Sequence, residues 1–218
     1  MDGGYAHLKQ SKRAWLYVAK QGEINEKEST NSFIFIFANS DFCLSFWIKK
    51  GMSLEEIEAV CDGNESVKVE DEVYLVKPLK SHPLFQYYAV YVNEKVGLYQ
   101  IRAISDNITT NKYGTELQNA FNDLKDRIGK TYGRPKVINE NRSDSYYQQD
   151  EYWFYTLHDG SRTLAAIWGE NKELSDDLVS ISLECKSNGG FYEGPGILVL
   201  YYYFNNASEV EDEQDSVF

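Results

Sequence analysis

Histidine and cysteine are the side chains most often made reactive near neutral pH, and this chain carries three of each: His7, His82 and His158, and Cys43, Cys61 and Cys185. Their spacing is poor in chemistry. With no His-x-x-x-His pair and no Cys-x-x-Cys, a zinc site would have to be assembled from distant residues, so neither metal nor cofactor is expected. His158 beside Asp159 has the makings of a base with its orienting acid. Yet Asp159-Gly160 is a hairpin-turn pair, and the turn accounts for both residues. His82-Pro83 reads as the entry to a strand. Cys61 falls on the apolar side of an expected helix, where burial raises a thiol pKa and makes it inert. The glycine-rich stretches 187–190 and 193–196 lack the lysine and the following helix of a phosphate-binding loop. Carboxylates are plentiful and none is singled out by spacing. A hydrolase built from scattered carboxylates or Cys61 is therefore the alternative reading, and a non-catalytic protein the leading one.

Charge narrows the partners. Thirty-four acids against 22 bases give a net charge of −12, the wrong sign for phosphate backbones and for anionic lipid. The same charge suits a basic protein partner drawn in by electrostatic steering. Acids laid out at phosphate spacing would instead make a nucleic-acid mimic. Three widely separated cysteines do not form a disulfide framework, and residues 1–5 carry no secretory pattern, so a cytoplasmic protein is expected. The most apolar window, 33–48, is interrupted by Asn39-Ser40-Asp41, which suits a two-strand hairpin rather than a membrane span.

The elements that would position any site form a pattern that occurs twice. Residues 1–50 hold a strand at 14–18, a charged loop and the hairpin strands 33–37 and 42–48. Residues 51–110 open on Gly51-Met52-Ser53, where Ser53 is an N-cap and Glu56 completes a capping box; Leu54, Ile57, Val60 and Cys61 share a face. Strands follow at 73–76, 86–92 and 97–104. Residues 111–206 repeat the scheme: a helix capped at Thr115 with Gln118 as partner, with Leu117, Phe121, Leu124 and Ile128 on one face and Gly129, Gly133 and Pro135 ending it. A polar loop spans 139–150. Strands are then expected at 152–157, 162–168, 178–185 and 197–204, with a glycine-rich loop at 187–196. Residues 207–218 carry five acids in seven residues and read as a disordered acidic tail. The fold class is α+β: two helix-plus-antiparallel-meander units forming one extended sheet with helices on one face.

The helix-then-meander order, with Gly51-Met52-Ser53 opening one copy and Tyr132-Gly133-Arg134-Pro135 closing the second helix, resembles two groups. One is the tandem-repeat β-lactamase inhibitory proteins; the other is the small outer-membrane lipoproteins of the barrel-assembly machinery. It is also similar to bacterial proteins of unknown function with the same Gly-Met-Ser start. The resemblance covers residues 42–205 and implies a concave antiparallel sheet that grips another protein.

Aromatic residues mark the surface expected to act. The chain has 17 tyrosines, whose rings combine apolar area with a polar tip. Tyr152, Trp153 and Tyr155 on one expected strand, and Tyr201, Tyr202 and Tyr203 on another, are the candidate protein-binding residues, together with Phe218 at the end of the acidic tail. By strand alternation Tyr201 and Tyr203 share one side, and Tyr202 and Phe204 the other. The function expected is a stoichiometric inhibitor, an immunity-like protein, or a subunit of a larger bacterial or phage-defence assembly. Edge pairing through residues 33–37 would also allow a homo-oligomer.

Overall fold

The computed structural model of the chain describes residues 48–62, 66–79, 82–170 and 173–210. The strands expected at 14–18, 33–37 and, but for Ile48, 42–48 lie outside the described residues, as do His7, Cys43 and the end of the acidic tail with Phe218.

The first unit runs α1 (Leu54–Glu58), β1 (Val67–Glu70), β2 (Val73–Val76), β3 (Phe85–Asn93), β4 (Gly97–Ser105) and the short β5 (Ile108–Thr110). The second runs α2 (Thr115–Tyr132), β6 (Lys136–Asn141), α3 (Trp153–His158), β7 (Arg162–Trp168), β8 (Leu178–Ser187) and β9 (Gly194–Phe204). All nine strands join one antiparallel sheet in the order β1-β2-β3-β4-β9-β8-β7-β6, with β5 continuing beyond β4 along the same edge of β9. Each unit thus contributes a four-strand meander, and the final strands β4 and β9 pair antiparallel at the centre. A twofold rotation normal to the sheet would generate that arrangement, so the doubling read in the sequence survives as topology. The chain is α+β.

Burial follows the strand period. On one face Val90, Leu98, Ile101, Ile181, Leu183, Leu200 and Tyr202 share a core with Ile57 of α1, with Leu117, Phe121, Leu124 and Ile128 of α2, and with Phe154 of α3. All three helices therefore cover the same side. On the other face Ile104, Ile197, Val199 and Tyr201 form a second buried cluster flanked by Leu75, Tyr87 and Tyr203. Strand β9 is buried on both sides from Gly196 to Tyr202, which is why its sequence is a continuous apolar run rather than an alternation.

The capping box of α1 is formed: the Glu56 amide donates to Ser53 Oγ at 3.3 Å, and the Ser53 amide donates to Glu56 Oε2 at 2.8 Å. The cap expected at Thr115 is not where α2 begins. Gly114 is the N-cap, in the left-handed region at φ 68°, with no side chain of its own to cap the helix, and the Thr115 amide donates to Asn111 Oδ1 at 3.4 Å. Glu116 Oε2 instead accepts from the Asn111 amide at 3.2 Å and from Thr110 Oγ1 at 2.8 Å, while Gln118 Nε2 donates to the Tyr113 carbonyl. The helix also runs through Gly129 and stops at Tyr132, because the buried stripe Leu117, Phe121, Leu124, Ile128, Tyr132 carries it past a lone glycine.

Two assignments are corrected. Residues 139–150 are not a plain loop: Lys136–Asn141 is strand β6, paired with β7 from Lys136↔Ile167 to Asn141↔Arg162, and 3-10 turns follow at Ser145–Gln148 and Asp150–Tyr152. Residues 153–157 are helical rather than extended. Their Tyr-Trp-Phe-Tyr-Thr composition favours a strand, but Trp153, Phe154, Thr156 and Leu157 are buried at helical spacing, and the Thr156 hydroxyl bonds back to the carbonyls of Tyr152 and Trp153, each at 3.0 Å. Strands β1 and β5 are further additions to the sequence reading.

His82 at the entry to β3 gives the fold a pH response. Burial, with the Arg127 charge adding to it, holds the imidazole at about 4, below its ordinary 6.5. The neutral ring accepts from the Leu84 amide at Nδ1, 3.2 Å away, and packs on Phe85 with ring centres 5.7 Å apart. The unfolded chain takes up this proton at a higher pH than the folded chain does. Stability present above pH 6.5 is therefore lost as the pH falls toward 4. Discounting for partial exposure of the ring leaves about 1 kcal/mol. A His82→Asn variant keeps an acceptor without a titrating charge, and thermal melts across that window should show it losing less stability than the parent. Equal losses would show that the ring does not report on folding.

Candidate functional site

Six aromatic rings meet where α3, the 3-10 turns before it and the β8–β9 connection come together. The turn at Ser145–Gln148 brings Tyr146 and Tyr147, the next turn brings Tyr152, α3 brings Tyr155, and the connection brings Phe191 and Tyr192. Ring centres lie 5.1 Å apart for Tyr146 and Tyr147, 4.9 Å for Tyr147 and Tyr155, 5.0 Å for Tyr155 and Phe191, and 5.5 Å for the stacked pair Tyr155 and Tyr192. Tyr155 is the hub, since Tyr147, Tyr152, Phe191 and Tyr192 all contact it. Tyr146, Phe191 and Tyr192 remain 60%, 54% and 52% exposed. Large rings kept that open, and packed on each other rather than on the core, form a contiguous apolar patch.

The surroundings hold these rings in place. Asn141 Nδ2, at the end of β6, donates to the Tyr147 carbonyl at 3.2 Å, and the Tyr147 amide donates to the Asp144 carbonyl at 2.9 Å. The Asn188 amide donates to the Pro195 carbonyl at 2.8 Å, closing the connection that carries Phe191 and Tyr192. On the same helix as Tyr155, Trp153 is buried, with the Arg162 guanidinium 5.5 Å from its ring centre. Arg162 Nε donates to Thr156 Oγ1 at 2.9 Å, which ties β7 to α3. Tyr152 donates its phenol proton to the Tyr146 hydroxyl at 2.7 Å, and that bond is the main reason the Tyr152 phenol is pushed up to about 12.

Acids flank the patch residues in the chain: Asp144, Asp150, Asp159 and Glu193 are exposed. Partial desolvation is the main cause that raises the Tyr155 phenol, and the Asp159 charge adds to it, as the Glu151 charge adds to the rise at Tyr152. Of the neighbouring cations, Lys112 pairs with Glu151 at 3.1 Å and Arg142 with Glu140 at 3.5 Å, while the Arg162 guanidinium is held by the neutral oxygens of Thr156 and Asn139.

Reactive groups near this surface are drawn into structure. His158 Nδ1 and Ser187 Oγ are 3.1 Å apart, the distance of a base and a hydroxyl nucleophile. The Asp159 carboxylate beside them accepts from the Ser161 amide at 2.8 Å within the turn, and the Ser187 hydroxyl donates to the Gly189 carbonyl at 3.2 Å. The pair fastens α3 to the end of β8, and the His158 ring packs on Phe191 of the β8–β9 connection at 5.6 Å. Burial first, and the Glu58 charge second, raises the Cys61 thiol; burial likewise raises Cys185. Both stay protonated at neutral pH.

No protein-family model, curated protein or solved structure matches the chain.

Of the residues singled out by sequence, Tyr152 and Tyr155 join the patch, and Trp153 is buried in the helix-side core. Tyr202 points into the helix-side core and is buried. Tyr201 and Tyr203 share the opposite face as alternation requires, stacked at 6.1 Å, but Tyr201 is only 7% exposed. The Arg102 guanidinium sits 5.1 Å from the Tyr91 ring centre and 5.0 Å from that of Tyr201, filling the surface beside them. Tyr146, Tyr147, Phe191 and Tyr192 were missed. Their signal is visible in retrospect: two aromatic pairs, each inside a polar or glycine-rich stretch, have no alternation with which to fill a core. Among the described residues no helix is long and apolar enough to cross a membrane.

Proposed function

We propose that the protein is a non-catalytic binding module that engages a basic protein partner, one to one, through the six-ring patch. The observation that carries this reading is the exposure of Tyr146, Phe191 and Tyr192 within a network of mutually packed rings. Exposed tyrosine and phenylalanine offer large contact area with few rotatable bonds, the composition from which binding hot spots are made. The net charge of −12 supports a basic partner. A role as inhibitor, immunity-like protein or assembly subunit fits this mode, and gripping another protein is what the resemblance to tandem inhibitory modules implies.

The test is affinity capture from the native host's lysate, with the parent chain and a Phe191→Ser, Tyr192→Ser variant. Both side chains project from a connection, so the variant should keep its fold, which circular dichroism verifies. Losing two such anchors, each worth about 2 kcal/mol, should abolish retention of a stoichiometric partner. Equal retention by the variant would place the binding surface elsewhere.

A further inference from the structure

Resting on that reading, we propose that the patch recognises arginine side chains presented by its partner, with guanidinium groups lying on the exposed tyrosine and phenylalanine rings and the flanking carboxylates supplying the countercharge. Two independent observations converge here. The first is the open rings of Tyr146, Phe191 and Tyr192, whose π-faces attract cations. The second is charge: Asp144, Asp150 and Glu193 are exposed within two residues of a patch ring in the chain and Asp159 acts on Tyr155, four acids against the one guanidinium of Arg162, while Lys112 and Arg142 nearby are already paired with Glu151 and Glu140. The site therefore presents aromatic faces in a negative field.

Other occupants fit less well. A second copy of this chain would bring the same acids and a net charge of −12 against the patch. Nucleic-acid phosphates meet the same repulsion. An uncharged apolar segment would leave the flanking carboxylates without use. Arginine suits the site better than lysine, because guanidinium is planar, weakly hydrated and stacks on rings while still donating to carboxylates. The protein already makes this contact internally, with Arg102 about equally distant from Tyr91 and Tyr201.

The experiment titrates the full chain with a capped, glycine-spaced tetra-arginine peptide and its lysine and citrulline counterparts, followed by NMR shifts of the aromatic ring protons. Citrulline keeps the shape of arginine and removes its charge. Saturable shifts at Tyr146, Phe191 and Tyr192 are expected with arginine, with binding about tenfold weaker for citrulline and weaker by a similar factor in the Phe191→Ala, Tyr192→Ala variant. An Asp159→Asn, Glu193→Gln variant should bind more weakly and with less dependence on salt. Equal binding of arginine and citrulline peptides, unchanged binding by the ring-deleted variant, or no shift at these rings would each overturn the inference. So would a concentration-dependent dimer in sedimentation that the ring-deleted variant loses. If a lysate partner is captured through the patch but not displaced by the arginine peptide, the module reading stands and this inference alone falls.

Discussion

Gly114→Ala is expected to cost about 3 kcal/mol of folding stability and to unseat the aromatic patch. Gly114 sits at φ 68° at the start of α2, where an L side chain is strained. A Cβ there would stand 2.0 Å from Cε3 and 2.2 Å from Cζ3 of Trp153. Trp153 cannot retreat freely, since it is buried and has the Arg162 guanidinium against its ring. The strain must pass into α3, which holds Tyr155, the hub of the patch. Gly160→Ala is the control: it also has positive φ, 82°, but its Cβ would meet open space, so it bears only the backbone cost of about 1 kcal/mol. Urea denaturation of the two variants separates strain from overlap. A Gly114→Ala, Trp153→Leu double variant should recover part of the loss, and NMR shifts of the Tyr155 ring should move with Gly114→Ala and not with Gly160→Ala. Equal stability of the two single variants would contradict the contact.

Trp168→Ala should be still more damaging, by about 4 kcal/mol. The side chain is 2% exposed in the core, on β7 opposite Ile181 of β8. Its Nε1 donates to the Gly133 carbonyl at 2.8 Å, just past the end of α2. Truncation opens a cavity and leaves that carbonyl without its donor at once. Trp168→Phe fills most of the space and removes only the hydrogen bond, so it should cost about 1–2 kcal/mol. Chemical denaturation distinguishes the two variants. A loss below about 1 kcal/mol for Trp168→Ala would mean that α2 is held by other contacts.

How much of this was legible follows from where each signal lies. Strands β2, β3, β4, β7, β8 and β9 have β-branched and aromatic runs bounded by turn residues, and the structure places them within a few residues of the expected bounds. The α2 stripe was equally clear. The segment 152–157 failed because its strand-like composition was overridden by tertiary packing: Trp153, Phe154 and Leu157 face the core only if the backbone is helical. Strand β6 failed for the opposite reason, as Lys-Val-Ile-Asn-Glu-Asn at an edge carries little apolar content, and its pairing with β7 forms it. The patch was half legible. Tyr152 and Tyr155 were singled out on the wrong element, whereas the rings they meet come from the turn just before them and from the distant β8–β9 connection. Sequence can mark an aromatic pair in a loop, but only the fold brings three such segments together.

The measurement that tests the central claim most directly is site-specific photo-crosslinking, with a benzophenone side chain placed at Tyr192 in the patch and, separately, at Val179, which is 56% exposed on β8 away from it. Irradiation in host lysate followed by mass spectrometry should yield one dominant adduct from position 192, mapping to an arginine-containing segment of a basic protein, and none of that adduct from position 179. Capture of a stoichiometric partner with no adduct at 192, or with the same adduct at 179, would contradict the assignment of the patch as the binding surface.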